Sequence, residues 1–444
     1  MMLWVYSTRL AILFLVLLRT IIDAVGPFFP LSGDPAQLTA SSVATGYNTA
    51  ATIELTEVSG VLLFGLSLFT LIILLIQKKI KLRSYDIAAI CFILALSIGI
   101  FRSSAEIPAY PDLLRPASWM LFLIIFPQLI RDERDIRLFI FAGFLASLIP
   151  LAGGIHSLLT GYKVGAYYGV MSAHVAGLKD IQGWFHSPPN LGALTSSIFV
   201  FPLMMLFWQK KRTWSWFFYL ALIMTSIYFI YRTYHRASLI AVIVLLLSTY
   251  LLIYPSMKKV IVSISILSVL WILTISTGMI KIKLADFDLG ATGGESSIYH
   301  RLLIWTLAVK GWFEGNLMQK LFGRGLNAVR SITWGKGAHN DYFELLYSYG
   351  LVPLIAYVTF QFLLIKEFFR LRKKFRDYLP YRQLCCVAIA LFCGSSAIAN
   401  SMRSLWSLQW MFYIATFFGL TLSLNKLNPE KDEIRQTSHL DSLR

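Results

Sequence analysis

The chain has 444 residues, of which 57% are hydrophobic and only 14% are charged. Its mean hydropathy of +0.65 is too high for a soluble globular domain. The 40 basic and 23 acidic residues give a net charge of +17, which in a membrane protein reports orientation rather than a nucleic-acid partner. Composition therefore excludes a secreted disulfide scaffold, a nucleic-acid factor and a disordered tail protein.

Apolar runs of about 20 residues, long enough to cross a bilayer, fill almost the whole chain. We predict an all-α polytopic membrane protein with about twelve spans, forming a single transmembrane domain over residues 1–444. The first run carries Arg19 and Asp23 and lacks a small-x-small cleavage signature, so we expect an uncleaved signal anchor. The predicted spans are 9–29, 58–76, 84–101, 116–130, 138–157, 190–208, 214–231, 237–254, 260–280, 345–365, 384–400 and 405–424.

Short basic loops indicate the orientation. The clusters Lys78–Arg83, Arg131–Arg137, Lys210–Arg212 and Lys366–Arg382 all fall on the predicted side of the termini. Because basic loops stay in the cytoplasm, we predict that both termini are cytoplasmic and that residues 425–444 form a short cytoplasmic tail. We expect all four cysteines to be packing residues within spans: Cys91, Cys385, Cys386 and Cys393.

A long outer segment, residues 281–344 between spans nine and ten, carries cations on the side that the positive-inside rule disfavours. Anion binding is one explanation, and the neighbouring aromatic residues are suited to stack on sugar faces. The alternative is that Leu302–Val309 and Leu317–Phe322 are amphipathic helices at the membrane surface. Both interpretations stay open for these cations: Lys281, Lys283, Arg301, Lys310, Lys320, Arg324, Arg330 and Lys336.

The sharpest local signal is the segment from Gly337 to Leu351. Asp341 and Glu344 match a capping box, which predicts that Asp341 caps a helix and that His339 precedes it. The positive end of a helix favours a neutral imidazole, which can act as a general base. The alternative is that His339 and its neighbour only satisfy backbone groups. Because no HxxxH or HxH spacing is present, we predict no metal site.

Two arginines lie where the chain meets the outer surface. Arg236 falls in a tight turn between spans seven and eight, and Arg301 opens an apolar stretch after a Gly-Gly pair. The planar guanidinium fork suits a phosphate clamp. Pairing with a carboxylate or with a lipid headgroup is the alternative for both.

These features, in this order, resemble the O-antigen ligase and Wzy-type polysaccharide polymerase family. The resemblance covers about residues 185–355 and implies a GT-C-like helical fold in the bacterial inner membrane, with activity on the outer face and no cofactor or metal. The segments that carry it are Pro189-Asn190, Arg236-Ala237-Ser238, Arg301-x-x-x-Trp305, Gly323-Arg324-Gly325-Leu326 and His339-Asn340-Asp341-Tyr342.

The resemblance also implies roles for individual residues. His339 becomes the candidate catalytic base, and Arg236 and Arg301 become candidate ligands of a donor diphosphate. The family's arginine near span eight follows a Ser, but here it follows His235, so Arg232 stays open as the equivalent of Arg236. Further substrate-binding candidates are Arg324, Asn340 and Tyr342.

The implied partners are an undecaprenyl-diphosphate-linked glycan donor, a lipid A core or growing glycan acceptor and membrane lipids, without nucleic acid. Polymerases of the family carry an Arg-x10-Gly pair in two outer loops. Arg324 and Gly335 match this spacing, but the segment His156–Pro189 contains no arginine. We therefore favour a ligase, with a polymerase as the close alternative. A flippase or secondary transporter that uses Arg19 and Asp23 is the more distant one.

Overall fold

All regular structure in the described part of the chain is helical, as predicted. The computed structural model describes residues 2–25, 55–101, 110–160, 188–254 except 210, 212 and 234, 298–332 except 326 and 327, 337–400 and 404–427. The helices are α1 (Met2–Val25), α2 (Leu55–Ile76), α3 (Ser84–Phe101), α4 (Tyr110–Leu129), α5 (Glu133–Thr160), α6 (Pro188–Ile198), α7 (Val200–Trp208), α8 (Trp214–Arg232), α9 (Arg236–Ile253), α10 (Ile298–Glu314), α11 (Leu317–Phe322), α12 (Ala328–Ile332), α13 (Asp341–Glu344), α14 (Leu351–Lys374), α15 (Leu379–Ala399) and α16 (Leu408–Ser423).

The molecule is a helical membrane protein. Within the described residues, 5 helices are long and apolar enough to cross a bilayer: α5, α6 with α7, α8, α14 and α15. Shorter apolar helices lie in α2, α3, α4 and α9. Helices occupy every predicted span that falls in the described part of the chain, whereas the predicted span at 260–280 lies outside it.

The centre of the bundle is formed by α4 and α16. The segment Trp119–Phe126 is buried throughout, and so is Leu408–Ser423 apart from one partly exposed residue. The rings of Phe122 in α4 and Phe412 in α16 lie 5.1 Å apart. Helices that are apolar on all sides pack in a core, while the outer helices leave apolar side chains exposed, such as Phe362, which is 62% exposed.

The basic connections meet at one end of the bundle, which we call the basic end. Arg9 of α1 pairs with Asp135 of α5 at 2.7 Å. Arg83, just before α3, pairs with Glu367 of α14 at 2.9 Å. These long-range ion pairs bring the predicted basic loops together. The charged residues Glu133 and Asp135 belong to the first turn of α5, where acidic side chains interact favourably with the positive end of the helix dipole.

The tenth predicted span, 345–365, was placed too early and ends too soon. Residues Leu345–Tyr349 form a π-helical turn, and Gly350 has a left-handed φ of 88°, so the α-helix begins only at Leu351. The helix then continues to Lys374, through the basic residues that we predicted to be a loop. Near its end, Arg370 binds Glu367 three residues earlier at 2.7 Å, which stabilises the charged last turns.

The contact between α9 and α15 generates a stability prediction. A Cβ atom added at Gly394 of α15 would lie 2.7 Å from the backbone carbonyl oxygen of Ala241 in α9. We expect Gly394→Ala to lower the free energy of unfolding by about 1–3 kcal/mol, because the backbone has to move apart. Thermal unfolding in detergent measures this. Gly65→Ala is the control, because nothing lies within 4 Å of a Cβ there; equal melting temperatures would contradict the prediction.

Candidate active site

The turn between α8 and α9 is packed against the start of α6. Thr233 closes the end of α8 by donating its hydroxyl to the Ile230 carbonyl at 2.7 Å. At Gly192 of α6, a Cβ atom would lie 2.7 Å from Thr233 Oγ1 and 3.1 Å from His235 Cβ. The absence of a side chain at Gly192 therefore lets this turn approach α6 closely.

His235 lies directly before α9, and its surroundings in the fold change its charge state. A hydrogen bond of 2.5 Å joins its Nδ1 to the hydroxyl of Ser238, which is fully buried. Burial, and then the positive charge of Arg301, lower the pKa of His235 to about 4. The imidazole is therefore neutral near pH 7, and Arg301 of α10 lies close enough to act on it electrostatically.

Trp305 connects α10 to the segment that carries His339. Its indole Nε1 donates to the Ala338 carbonyl at 2.9 Å, and its ring stacks on Phe343 with centroids 5.1 Å apart. Arg301 lies four residues before Trp305, on the same face of α10. One helix face thus approaches both His235 and the residue before His339. This gives the predicted Arg-x-x-x-Trp motif a structural reason.

The predicted capping box at Asp341 is wrong, because Asn340 caps α13 instead. The Asn340 side-chain oxygen accepts from the backbone N–H groups of Tyr342 at 2.9 Å and Phe343 at 3.2 Å. Asp341 is already helical, and its carboxylate accepts from the Leu405 N–H at 3.0 Å. An extended backbone at residue 340 points its side chain at the free N–H groups of the first turn.

His339 is exposed and lies between two buried residues whose positions are fixed by hydrogen bonds. Ala338, on one side, accepts from Trp305 and donates its N–H to Glu344 at 3.2 Å. Asn340, on the other, is 3% exposed and donates to Asn400 at 3.1 Å. His339 itself is exposed and has a left-handed φ of 49°. Such backbone strain in a residue other than glycine is typical of functional sites.

The Gly323-Arg324-Gly325 motif pairs with the π-helical turn. Carbonyl groups of the turn accept from the N–H of Arg324 at 3.3 Å and of Gly325 at 2.8 Å. At Gly323, which has φ 76°, a Cβ atom would lie 2.2 Å from the Ser348 carbonyl oxygen; at Gly350 it would lie 2.5 Å from the Gly323 nitrogen. The motif therefore joins the outer segment to the start of α14 by direct backbone contact.

The structure separates Arg324 from Arg301. The Arg324 guanidinium donates to the Gly311 carbonyl at 2.8 Å and lies 5.3 Å from the Tyr347 ring centroid. Gly311 follows Arg301 by ten residues in α10, which is about 15 Å along the helix axis. These contacts tie α10 to the π-helical turn, and they give Arg324 a structural role whatever its part in substrate binding.

The remaining predicted residues lie around this site. The Tyr342 hydroxyl donates to Gln361 of α14 at 3.1 Å, and burial raises the pKa of Tyr342. Arg232, at the end of α8, donates to the Tyr228 hydroxyl at 2.8 Å. Arg236 is the first residue of α9, but its side chain lies outside the described residues.

The sequence indicated His235 as a departure from a family pattern and assigned it no role in the site. A buried Ser three residues after a His at the start of a helix is a local signal that the imidazole is fixed. Its neighbour Arg301 lies more than 60 residues away in sequence, so no local pattern indicates the electrostatic effect. Neither a scan of protein-family models nor a search of the curated proteins finds a match to this chain.

The pKa of His235 provides a test of this geometry. We expect Arg301→Gln to raise the pKa of His235 from about 4, because a positive charge near the imidazole is removed while burial still holds the pKa below the ordinary value. Nitrogen-15 NMR titration of the histidine side chains measures this. Arg324→Gln is the matched control and leaves the pKa of His235 unchanged. An unchanged value in Arg301→Gln would show that the two groups are not neighbours.

Proposed function

We propose that this protein is a membrane glycosyltransferase of the O-antigen ligase type. It transfers a preassembled glycan from undecaprenyl diphosphate to a sugar hydroxyl of a lipid A core or a similar acceptor, at the outer face of the bacterial inner membrane. One observation carries the proposal: a single face of α10 approaches both the turn at His235, next to Arg236, and the segment of His339. In sequence these two regions lie about 100 residues apart.

The chemistry requires two kinds of groups. The acceptor hydroxyl is a weak nucleophile, and His339 takes its proton as the oxygen attacks the anomeric carbon. The bond from that carbon to the diphosphate oxygen breaks, and the leaving diphosphate gains negative charge. Arg301, with Arg236 or Arg232, stabilises this charge through the guanidinium fork. The exposed position of His339, compared with its buried neighbours, supports its assignment as the base.

A neutral His235 next to Arg301 fits this assignment. At neutral pH the imidazole is uncharged, so the positive charge that faces the diphosphate comes from the arginines, and the ring stays fixed by Ser238. Asp341 and Glu344, the acidic residues nearest to His339 in sequence, accept hydrogen bonds from the backbone N–H groups of Leu405 and Ala338.

A Wzy-type polymerase with the same donor chemistry is the alternative. The guanidinium of Arg324, which begins the Arg-x10-Gly match, binds Gly311 and lies over Tyr347. Because these contacts give Arg324 a structural role, the Arg-x10-Gly spacing is weaker support for a polymerase, and we favour the ligase. A flippase or secondary transporter is the more distant alternative, and the buried Arg19 of α1, 3% exposed, is the feature that favours it.

A substitution of His339 tests its assignment as the catalytic base. We expect His339→Ala to lower the transfer rate by about 10²-fold or more, because the acceptor hydroxyl loses its base. His156→Ala, another histidine predicted to be on the outer side, is the control and retains the rate. Transfer that is unchanged in His339→Ala would show that His339 is not the base.

Arg301→Lys tests the phosphate clamp. We expect a loss of about 10²-fold with normal expression, because a point charge replaces a bidentate fork. The assay uses purified protein and undecaprenyl-diphosphate-linked glycan, and it offers lipid A core and a second lipid-linked repeat as separate acceptors. We expect the transfer rate to be unchanged when EDTA is added.

Product on the core alone identifies a ligase, and a ladder of longer lipid-linked chains identifies a polymerase. Full turnover by Arg301→Lys would contradict the role of Arg301 as a phosphate clamp. The absence of product with either acceptor, together with normal surface glycan in cells carrying His339→Ala, would favour the flippase.

A further inference from the structure

A cluster of cations at the basic end surrounds one carboxylate. Glu367 of α14 accepts from Arg83 at 2.9 Å, from Arg370 at 2.7 Å through both oxygens, and from Asn425 at 2.7 Å. Its two oxygens are therefore already occupied by donors from three separate segments of the chain. Its single negative charge is therefore shared among several cations.

Two lysines join this cluster. Lys374 of α14 lies one turn after Arg370 and donates to the Leu427 carbonyl at 3.4 Å. Lys426 donates to the Pro127 carbonyl at 2.7 Å, and burial together with the charge of Arg83 lowers the pKa of Lys426 to about 8. Both ammonium groups thus donate to neutral carbonyl oxygens, which satisfy a hydrogen bond but contribute no full negative charge.

The cluster carries a net positive charge. Its four cations are Arg83, Arg370, Lys374 and Lys426, and its carboxyl groups are Glu367 and Asp86, which accepts from the Arg83 N–H at 2.9 Å. With both carboxyl groups ionised, four charges against two give a net charge of +2 for these groups. Like charges that a fold holds together repel each other, and an anion between them removes that repulsion.

The surface beside the cluster is apolar and faces outwards. Ile355, Val358, Phe362 and Phe369 of α14 are 46–62% exposed, and their spacing places them on one side of the helix. Arg370, which is 54% exposed, borders this stripe, since consecutive residues point about 100° apart around a helix. An apolar stripe bordered by a cation matches a lipid, whose acyl chains lie along the stripe and whose phosphate meets the cations beside it. A soluble phosphate would make no use of the stripe.

We propose that the cluster formed by Arg83, Arg370, Lys374 and Lys426 binds the phosphate headgroup of an anionic membrane lipid, with an acyl chain on the exposed face of α14. Basic pockets between spans at the cytoplasmic side bind such headgroups. The lipid bridges α14, the connection before α3 and the segment after α16. This site lies at the basic end and does not depend on the proposed glycosyltransferase activity.

Native mass spectrometry of the full chain in detergent tests this site, with dioleoyl phosphatidylglycerol and dioleoyl phosphatidylcholine at equal mole fractions. Lys374→Gln/Lys426→Gln is expected to weaken the tightest phosphatidylglycerol binding by roughly tenfold or more. The control Lys78→Gln/Lys211→Gln removes the same charge from exposed residues of two predicted cytoplasmic loops and stays within about twofold of the wild type.

Three outcomes overturn the proposal. The first is an equal loss in both double variants, and the second is wild-type protein that retains phosphatidylglycerol no better than phosphatidylcholine. The third is full competition by glycerol phosphate at the concentration of the lipid, which would identify a soluble phosphate ester as the ligand. If the glutamine variant does not fold, Lys374→Arg/Lys426→Arg keeps the charge and retains the lipid; loss of binding there would also overturn the proposal.

Discussion

The hydrogen bond from the Trp305 indole to the Ala338 carbonyl determines where the parts of the candidate site lie. The ring of Trp305 also stacks on Phe343, so that α10 is fixed against the segment of His339 by a polar and an apolar contact at once. Arg301, one turn earlier, is then directed towards His235. Without this anchor, nothing in the local sequence would place an arginine of the outer segment beside the turn before α9.

A second constraint is the backbone contact between Gly323 and Gly350. Both residues adopt left-handed φ angles, and neither has room for a Cβ atom. The π-helical turn before Gly350 interrupts the α-helical pattern, and its carbonyl groups accept from Arg324 and Gly325. Backbone groups near a membrane require such partners. The outer segment therefore completes the hydrogen bonding of α14 as well as carrying candidate site residues.

The two ends of the bundle use their carboxylates differently. At the basic end, Asp135 and Glu367 pair with arginines, which ties distant helices together. At the candidate site, Asp341 and Glu344 accept from backbone N–H groups and fix the chain around His339.

The sequence by itself determined that the protein is a helical membrane protein, and it located the helices, because hydropathy over 20 residues is a local property. It misplaced the start of α14 and the cap of α13, because Gly350 meets Gly323 and Asp341 meets Leu405 only after folding. The resemblance made Arg301 and Arg324 similar candidates. Tertiary contacts alone separated them, since one lies beside His235 and the other binds Gly311. Charge and motif spacing are local properties of the sequence, whereas the partner of each side chain depends on which distant segments pack together.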